Sequence, residues 1–385
     1  MPISSTEDVS RFFNGARLTM ARKLSGKTKS ELAETLGKSP TAISAWESGL
    51  KKPTAKNVAA LSIGLNFPPA FFSAPDSGCV ETLPHYRALR STTRVQRDHA
   101  EAYAHLVNEF SSAIERLVEF PDVDVPTIPA PDSMDTDAPE RAARKIRVDW
   151  GLGQDPIPHM IRLLENHGVL VVFSPVQAAA LDAYSVQTGI RPVIVLNPEK
   201  KDYYRQRFDV AHELGHIVMH TDAEPGGKLV EEQANRFASE LLMPSEIVFS
   251  QLPSSMNNHA WRMVKSLKEE WLISMQAILM AARKTGKMRD AVYRNAMISL
   301  TKWGWRRNEP GEISILEQPS LLPRAVEVLQ EAGYSLRSIS DLGHIPFSLF
   351  MVMVSRIPRL EEKNQEMMFE KNIQEKRNFI LLSNG

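Results

Sequence analysis

Disulfide chemistry is excluded by arithmetic: the 385 residues contain one cysteine, Cys79, too few for an intramolecular disulfide framework or a thiolate zinc cluster. Long apolar runs are missing too. The longest late one, Ile345 to Val354, is interrupted by Pro346 and Ser348 and falls short of the roughly 20 residues that span a bilayer. No apolar stretch follows a basic start at the N-terminus, so no secretory signal is expected, and a membrane is not among the expected partners. Net charge is zero, 46 basic side chains against 46 acidic, so any affinity for nucleic acid must come from a local basic region. No internal repeat is found. What remains is a soluble globular chain long enough for two or three domains, each with its own core, expected in the cytoplasm.

The N-terminal stretch reads as short helices separated by sharp punctuation. An amphipathic segment opens at Arg11 and Phe12 and ends at Ser25-Gly26-Lys27. Thr28 followed by Glu31 has the spacing of a capping box, which predicts a helix over Lys29 to Leu36 that stops at Gly37. Ser39 caps the next helix with Pro40 at its first position, and Gly49 ends it. Leu32, Ala33 and Leu36 on the first helix and Ile43 and Trp46 on the second supply the inward faces of a helix-turn-helix. Ten bases against three acids between Arg11 and Lys56 leave a surplus of seven positive charges on an otherwise neutral chain, which suits phosphate contact.

The DNA contacts expected from this geometry are Lys29, Ser39, Pro40, Thr41, Ser44 and Ala45, at and before the start of the recognition helix. These side chains lack the Arg, Asn or Gln that read a base edge bidentately. Two readings follow: modest, shape-led recognition of duplex DNA, or a domain that now serves protein contacts. A segment rich in proline and aspartate, Pro121 to Pro139, is the clearest boundary in the chain. Between the two lies a linker, with His85, Tyr86, Arg87 and Arg90 read as a solvated turn or domain contact, and one long connecting helix over Thr92 to Phe120.

Beyond the boundary, helix and strand signals alternate. Helices are expected over Pro158–Asn166, Tyr204–His220, Leu229–Met243 and Ala260–Lys284, and buried strands over Gly168–Phe173 and Pro192–Leu196. The second strand is expected to offer its edge to an extended substrate. Past Met288 the signals are helical, with Trp303 and Trp305 read as core anchors and Arg359 to Glu370 as an exposed helix.

The chemistry is concentrated at His212-Glu213-Leu214-Gly215-His216. On a helix, positions i and i+4 share a face, so both imidazoles can reach one tetrahedral Zn²⁺, while Glu213 stands beside the open position as a general base toward water. Two exposed histidines on a helix are the plain alternative. A carboxylate ligand of the right type follows. On the helix beginning near Leu229, Glu231 falls on the flank of the apolar face and Glu232 points away from it, with Arg236 four residues on; Glu231 is the preferred third ligand. His220 lies about 12 Å from His212 along a helix axis, too far to share one ion, and is assigned a supporting role. Tyr203, Tyr204 and Arg205 are near in sequence, but none is singled out as an oxyanion stabiliser.

The stretch Arg207-Phe208-x-x-Ala211-His212-Glu213-Leu214-Gly215-His216, with Glu231-x-x-Ala234-Asn235-x-Phe237-Ala238-x-x-Leu241-Leu242-Met243-Pro244, resembles the ImmA/IrrE family of zinc metallo-endopeptidases over roughly Pro156 to Pro244. Arg11 to Phe72 resembles the lambda-repressor-like (XRE) DNA-binding domains, in which an arginine pairs with a glutamate at positions matching Arg22 and Glu47. The resemblance implies a thermolysin-like zincin domain, an intracellular location, and cleavage of helix-turn-helix repressors. By position, His212, His216 and Glu231 match the ligands, Glu213 the base, and Asn235 a residue that orients a ligand histidine.

The expected fold class is α+β. An all-α helix-turn-helix domain (1–75) is followed by a linker and connecting helix (76–130), a zinc metallopeptidase domain with a small mixed sheet (131–290), and a helical C-terminal region (291–385). The expected function is a zinc-dependent endopeptidase with its own DNA-binding domain, cleaving a repressor or other regulatory protein, with a homodimer left open. The competing reading is a transcription regulator whose zinc domain senses a ligand or partner without cutting. A third is the antitoxin-like half of a two-protein module.

Overall fold

The computed structural model describes residues 5–75, 85–86, 93–130, 137–175, 183–200, 202–220, 227–306, 308–311, 313 and 316–357. Cys79, Arg87, Arg90 and the charged stretch 359–370 lie outside the described residues.

The fold is α+β. The first five helices are α1 (Thr6–Arg11), α2 (Gly15–Leu24), α3 (Lys29–Leu36), α4 (Pro40–Glu47) and α5 (Ala55–Leu65). The expected amphipathic opening is divided: α1 ends at Arg11, and Asn14 caps α2 by accepting from the Ala16 N–H. The capping box on α3 is present in both directions, Thr28 with Glu31, and Gly37 closes the helix in the left-handed conformation at φ 60°. Ser39 caps α4 with Pro40 in its first turn.

After a two-residue strand β1 (His85–Tyr86), the long helix α6 (Arg94–Ile114) begins at another capping box, Thr93 with Gln96. Next come α7 (Ala138–Asp149), α8 (Met160–Asn166), β2 (Leu170–Phe173), β3 (Ala183–Gln187), β4 (Pro192–Leu196), α9 (Tyr203–Met219) and α10 (Lys228–Leu242). The remainder is helical: α11 (Ser245–Val248), α12 (Asn258–Trp271), α13 (Met275–Lys284), α14 (Asp290–Lys302), α15 (Leu321–Glu331), α16 (Leu336–Leu342) and α17 (Phe347–Met353). Among the described residues no helix is long and apolar enough to cross a membrane.

The sheet order is β1-β3-β4-β2, with β2 parallel to β4 and the other pairs antiparallel. Strand β4 is therefore central and paired along both sides, so it has no edge to offer a substrate. That expectation is corrected: β3, which carries no strong sequence signal, lies between β4 and β1, and the outermost strands are β1 and β2.

Period-two alternation divides the sheet into two faces. Leu170, Val172, Tyr184, Val186, Val193 and Val195 join a core that runs continuously from the helix-turn-helix through α6 to α15 and α17. Val171, Phe173, Ala183, Ile194 and Leu196 join the core beneath α7 to α14. Helix α6 thus does more than connect. The Tyr103 hydroxyl donates to the Phe173 carbonyl at 2.9 Å and the Tyr184 hydroxyl to the Ala100 carbonyl at 3.1 Å. Asn108, buried on α6, donates to Thr188 at the end of β3.

Two further expectations are corrected. The helix read over Ala260–Lys284 is two helices, because Leu272 is left-handed at φ 54° and Ser274 caps α13 through the Ala277 N–H. Trp303 is 47% exposed, not in the core, whereas Trp305, which it lies beside, is partly buried and packs against the core as expected.

Candidate functional site

Helix α9 is a buried element, all but hidden between the sheet and α10, and it carries His212, Glu213 and His216, each fully buried. Its close approach to α10 depends on Gly215. A Cβ there would meet the Phe237 ring at 3.0 Å and the Ala234 Cα at 3.4 Å, so the missing side chain lets α10 bring Glu231 up to the histidines.

His212, His216 and Glu231 converge. The two Nε2 atoms are 3.0 Å apart, and the Glu231 oxygens lie 3.4 Å from His212 Nε2 and 3.6 Å from His216 Nε2. Ligand atoms about 2.0–2.1 Å from a tetrahedral zinc are about 3.3 Å from one another, so this triangle has the dimensions of one face of such a cage. Glu232 is exposed on the far side of α10, and Arg236, expected opposite it, is also gripped by both carboxylate oxygens of Glu140 on α7, at 2.7 and 2.8 Å.

The surrounding hydrogen bonds point both rings the same way. The Asn235 amide oxygen lies 3.2 Å from His212 Nδ1. His216 Nδ1 lies 3.1 Å from His220 Nδ1, and His220 Nε2 lies 3.0 Å from the Gln233 side-chain oxygen. Because amide oxygens only accept, the network assigns an Nδ1 proton to His212. It likewise assigns an Nε2 proton to His220, whose Nδ1 then accepts from His216. Both rings are then left with Nε2 lone pairs facing each other, 3.0 Å apart, as two acceptors able to share a cation. Glu231 Oε1 is buried without a hydrogen-bond partner. Two imidazole nitrogens and a carboxylate oxygen without a hydrogen-bond partner are the kind of donor set that zinc takes.

Glu213 sits between His212 and His216 in sequence, and its Oε2 accepts from the Ser185 hydroxyl at 2.7 Å. Ser185 and Gln187 project from the α9 face of β3, where Gln187 donates to the Ile217 carbonyl at 2.7 Å. Ser185 and Gln233 were not found from the sequence. Neither has a motif, and each acquires its partner only when β3 and α10 pack on α9. Tyr203 lies against the Arg207 guanidinium, and the Tyr204 hydroxyl donates to the Gly311 carbonyl at 2.9 Å. Arg207 is fully buried and bonded to Glu317 and, at 2.6 Å, to the Ile157 carbonyl, which fastens the C-terminal region to α9.

At the other end of the molecule, Ser39, Pro40 and Thr41 are exposed at the start of α4, while Ser44 and Ala45 are half-buried. Lys29 is exposed but donates to Ser44 Oγ at 3.2 Å and lies 3.2 Å from Glu47. Arg22 meets Glu47 at 2.5 Å, the pairing expected from the resemblance. The positive surplus counted along the N-terminal sequence is partly offset in space. Arg17 is paired with Glu109, and Lys23 with Glu101 at 3.1 Å and Asp98 at 3.8 Å, all three acids on α6.

Comparison with known families agrees with both ends. Residues 18–72 match the family model described as helix-turn-helix, and residues 164–283 match a peptidase-family model described as an IrrE N-terminal-like domain. A search of curated proteins found no match to the chain. The chain thus carries a helix-turn-helix domain followed by an IrrE-like, peptidase-type domain, in the order that the two motifs occupy.

Proposed function

We propose that this chain is a cytoplasmic zinc-dependent endopeptidase with its own DNA-binding domain, acting on a transcriptional repressor or another regulatory protein. The observation that carries this reading is the convergence of His212, His216 and Glu231 beside a buried Glu213 held by Ser185. A metal site kept only for structure has no need of a carboxylate base at that position.

A zinc ion held by His212, His216 and Glu231 would supply the positive charge that acidifies water and polarises a scissile carbonyl. The chain's own groups do the rest. Asn235 sets the His212 ring, and the His220–Gln233 pair sets the His216 ring, so that each presents an unprotonated Nε2. The Ser185 hydroxyl fixes Glu213 Oε2, which orients the carboxylate to take a proton from water and hand it to the departing amide nitrogen. The apolar residues of α9 and α10 exclude bulk water from around these groups.

Glu213→Gln decides between cutting and sensing, because it keeps size and hydrogen bonding but removes the proton acceptor. The variant is expected to fold, retain zinc and bind duplex DNA as the wild type does. Cleavage of an unstructured protein such as β-casein should fall by roughly 10² to 10⁴. In cells, full-length repressors that diminish with the wild type should persist with the variant. If no protein is cut by the wild type and the variant regulates transcription normally, the domain is a sensor and the peptidase reading fails.

A further inference from the structure

The outer side of β3 is covered by a piece of this same chain. Strand β1 pairs with it antiparallel, His85 opposite Ser185 and Tyr86 opposite Tyr184. Ser185 is the residue whose hydroxyl holds Glu213, and neighbouring strands lie about 4.8 Å apart, so the backbone at His85 is one strand spacing from the base's own support. Adding an extended segment to a sheet edge is a general mode of peptide recognition, in which main-chain hydrogen bonds give affinity. Among the described residues, β1 meets β3 through His85 and Tyr86. It also lies in the connection between the helix-turn-helix and α6, where a break would divide the two modules covalently.

We propose that the segment through His85–Tyr86 is a substrate of the chain's own site, cut in cis. This rests on the peptidase reading above. The step is hydrolysis. The oxygen of water bonds to a backbone carbonyl carbon at or next to the β1 pair, Glu213 takes the water proton and delivers it to the amide nitrogen, and the C–N bond breaks. The N-terminal piece ends in a new carboxylate and the C-terminal piece begins with a new amine. The helix-turn-helix then stays on α6 only through non-covalent contacts, including Arg17 with Glu109 and Lys23 with Glu101.

The test incubates the zinc-loaded full chain with β-casein in the same tube and follows both by denaturing mass spectrometry. It is run on the wild type, on Glu213→Gln, and on a double variant, His85→Pro with Tyr86→Pro, that disrupts the β1 ladder. The wild type is expected to split within or beside His85–Tyr86 at a rate unchanged over a tenfold range of protein concentration. Glu213→Gln should leave both proteins intact, and the proline pair should spare the segment while still cutting casein. Hydrogen exchange gives a readout without turnover: in the Glu213→Gln background, β3 amides around Ser185 should exchange at least tenfold faster once the proline pair is added. A wild type that cuts casein and stays whole overturns this inference and leaves the peptidase reading standing. A wild type that cuts neither overturns both. Splitting that persists in the proline pair, or in Glu213→Gln, or β3 exchange that ignores the prolines, also overturns it.

Discussion

Glu231 reaches both His212 and His216, one oxygen nearer each, from a side chain only 20% exposed, while its neighbour Glu232 stands in solvent. The difference between them is about 100° of helical phase, and phase is legible in a sequence because the apolar stripe of α10 marks which way the core lies. Zinc content should follow that phase. Glu231→Ala and His216→Ala are each expected to lose the stoichiometric zinc measured by atomic emission after dialysis, whereas Glu232→Ala should keep about one ion per chain. Metal lost from the Glu232 variant but retained by the Glu231 variant would reverse the assignment. The groups behind the ligands were less legible. Asn235 and His220 could be proposed because they lie on the two motif helices, one turn from a ligand. Ser185 and Gln233 could not, since nothing in Tyr184-Ser185-Val186 announces a carboxylate across the gap.

Elements were read where local chemistry decides their limits. The α3 capping box, Pro40 at the start of α4 and the β-branched run of β4 all lie where the sequence places them. The misreadings share a cause, which is that tertiary pairing outweighs local signal. β4 is as apolar as a strand with a neighbour on each side must be, and its pattern alone does not say that β3 will pair along the side away from β2. The Ala260–Lys284 periodicity continues across Leu272, although the backbone there turns left-handed so that α13 can fold back beside α12. Gly215 is an element-scale feature of the same kind, a gap in α9 filled by Phe237 of α10. Gly215→Ala is expected to force that ring aside, at a cost of about 1–3 kcal/mol of stability, and to weaken zinc binding by separating Glu231 from the histidines. Pairing it with Phe237→Leu should recover part of the zinc affinity. If Gly215→Ala binds zinc as tightly as the wild type, the α9–α10 spacing does not set the site.

At the scale of the whole molecule, the helix-turn-helix is built into the rest of the chain by α6, whose apolar face is shared between α2 and the sheet. His99 lies in that seam, buried on α6, and hydrogen-bonds the Leu24 backbone at the end of α2. Burial disfavours its charged form and pushes its pKa down from the ordinary 6.5 to about 4, with the Leu24 hydrogen bond opposing the shift only in part. Between those values the unfolded chain binds a proton that the folded chain refuses, so stability rises with pH across this window. Above about pH 6.5 the ring is neutral in both states and its contribution is complete. As pH falls toward 4, about 3 kcal/mol is lost, and below that no more is lost through this group. His99→Gln keeps a hydrogen-bond donor for Leu24 but cannot titrate. Urea midpoints measured from pH 4 to 7 should fall more steeply for the wild type than for this variant, and the gap should close above pH 6.5. Hydrogen exchange should place the extra acid sensitivity in α2 and the first turns of α6, because those are the surfaces that His99 joins. Parallel pH profiles for the two proteins would remove His99 from any part in holding the DNA-binding module to the peptidase-like domain.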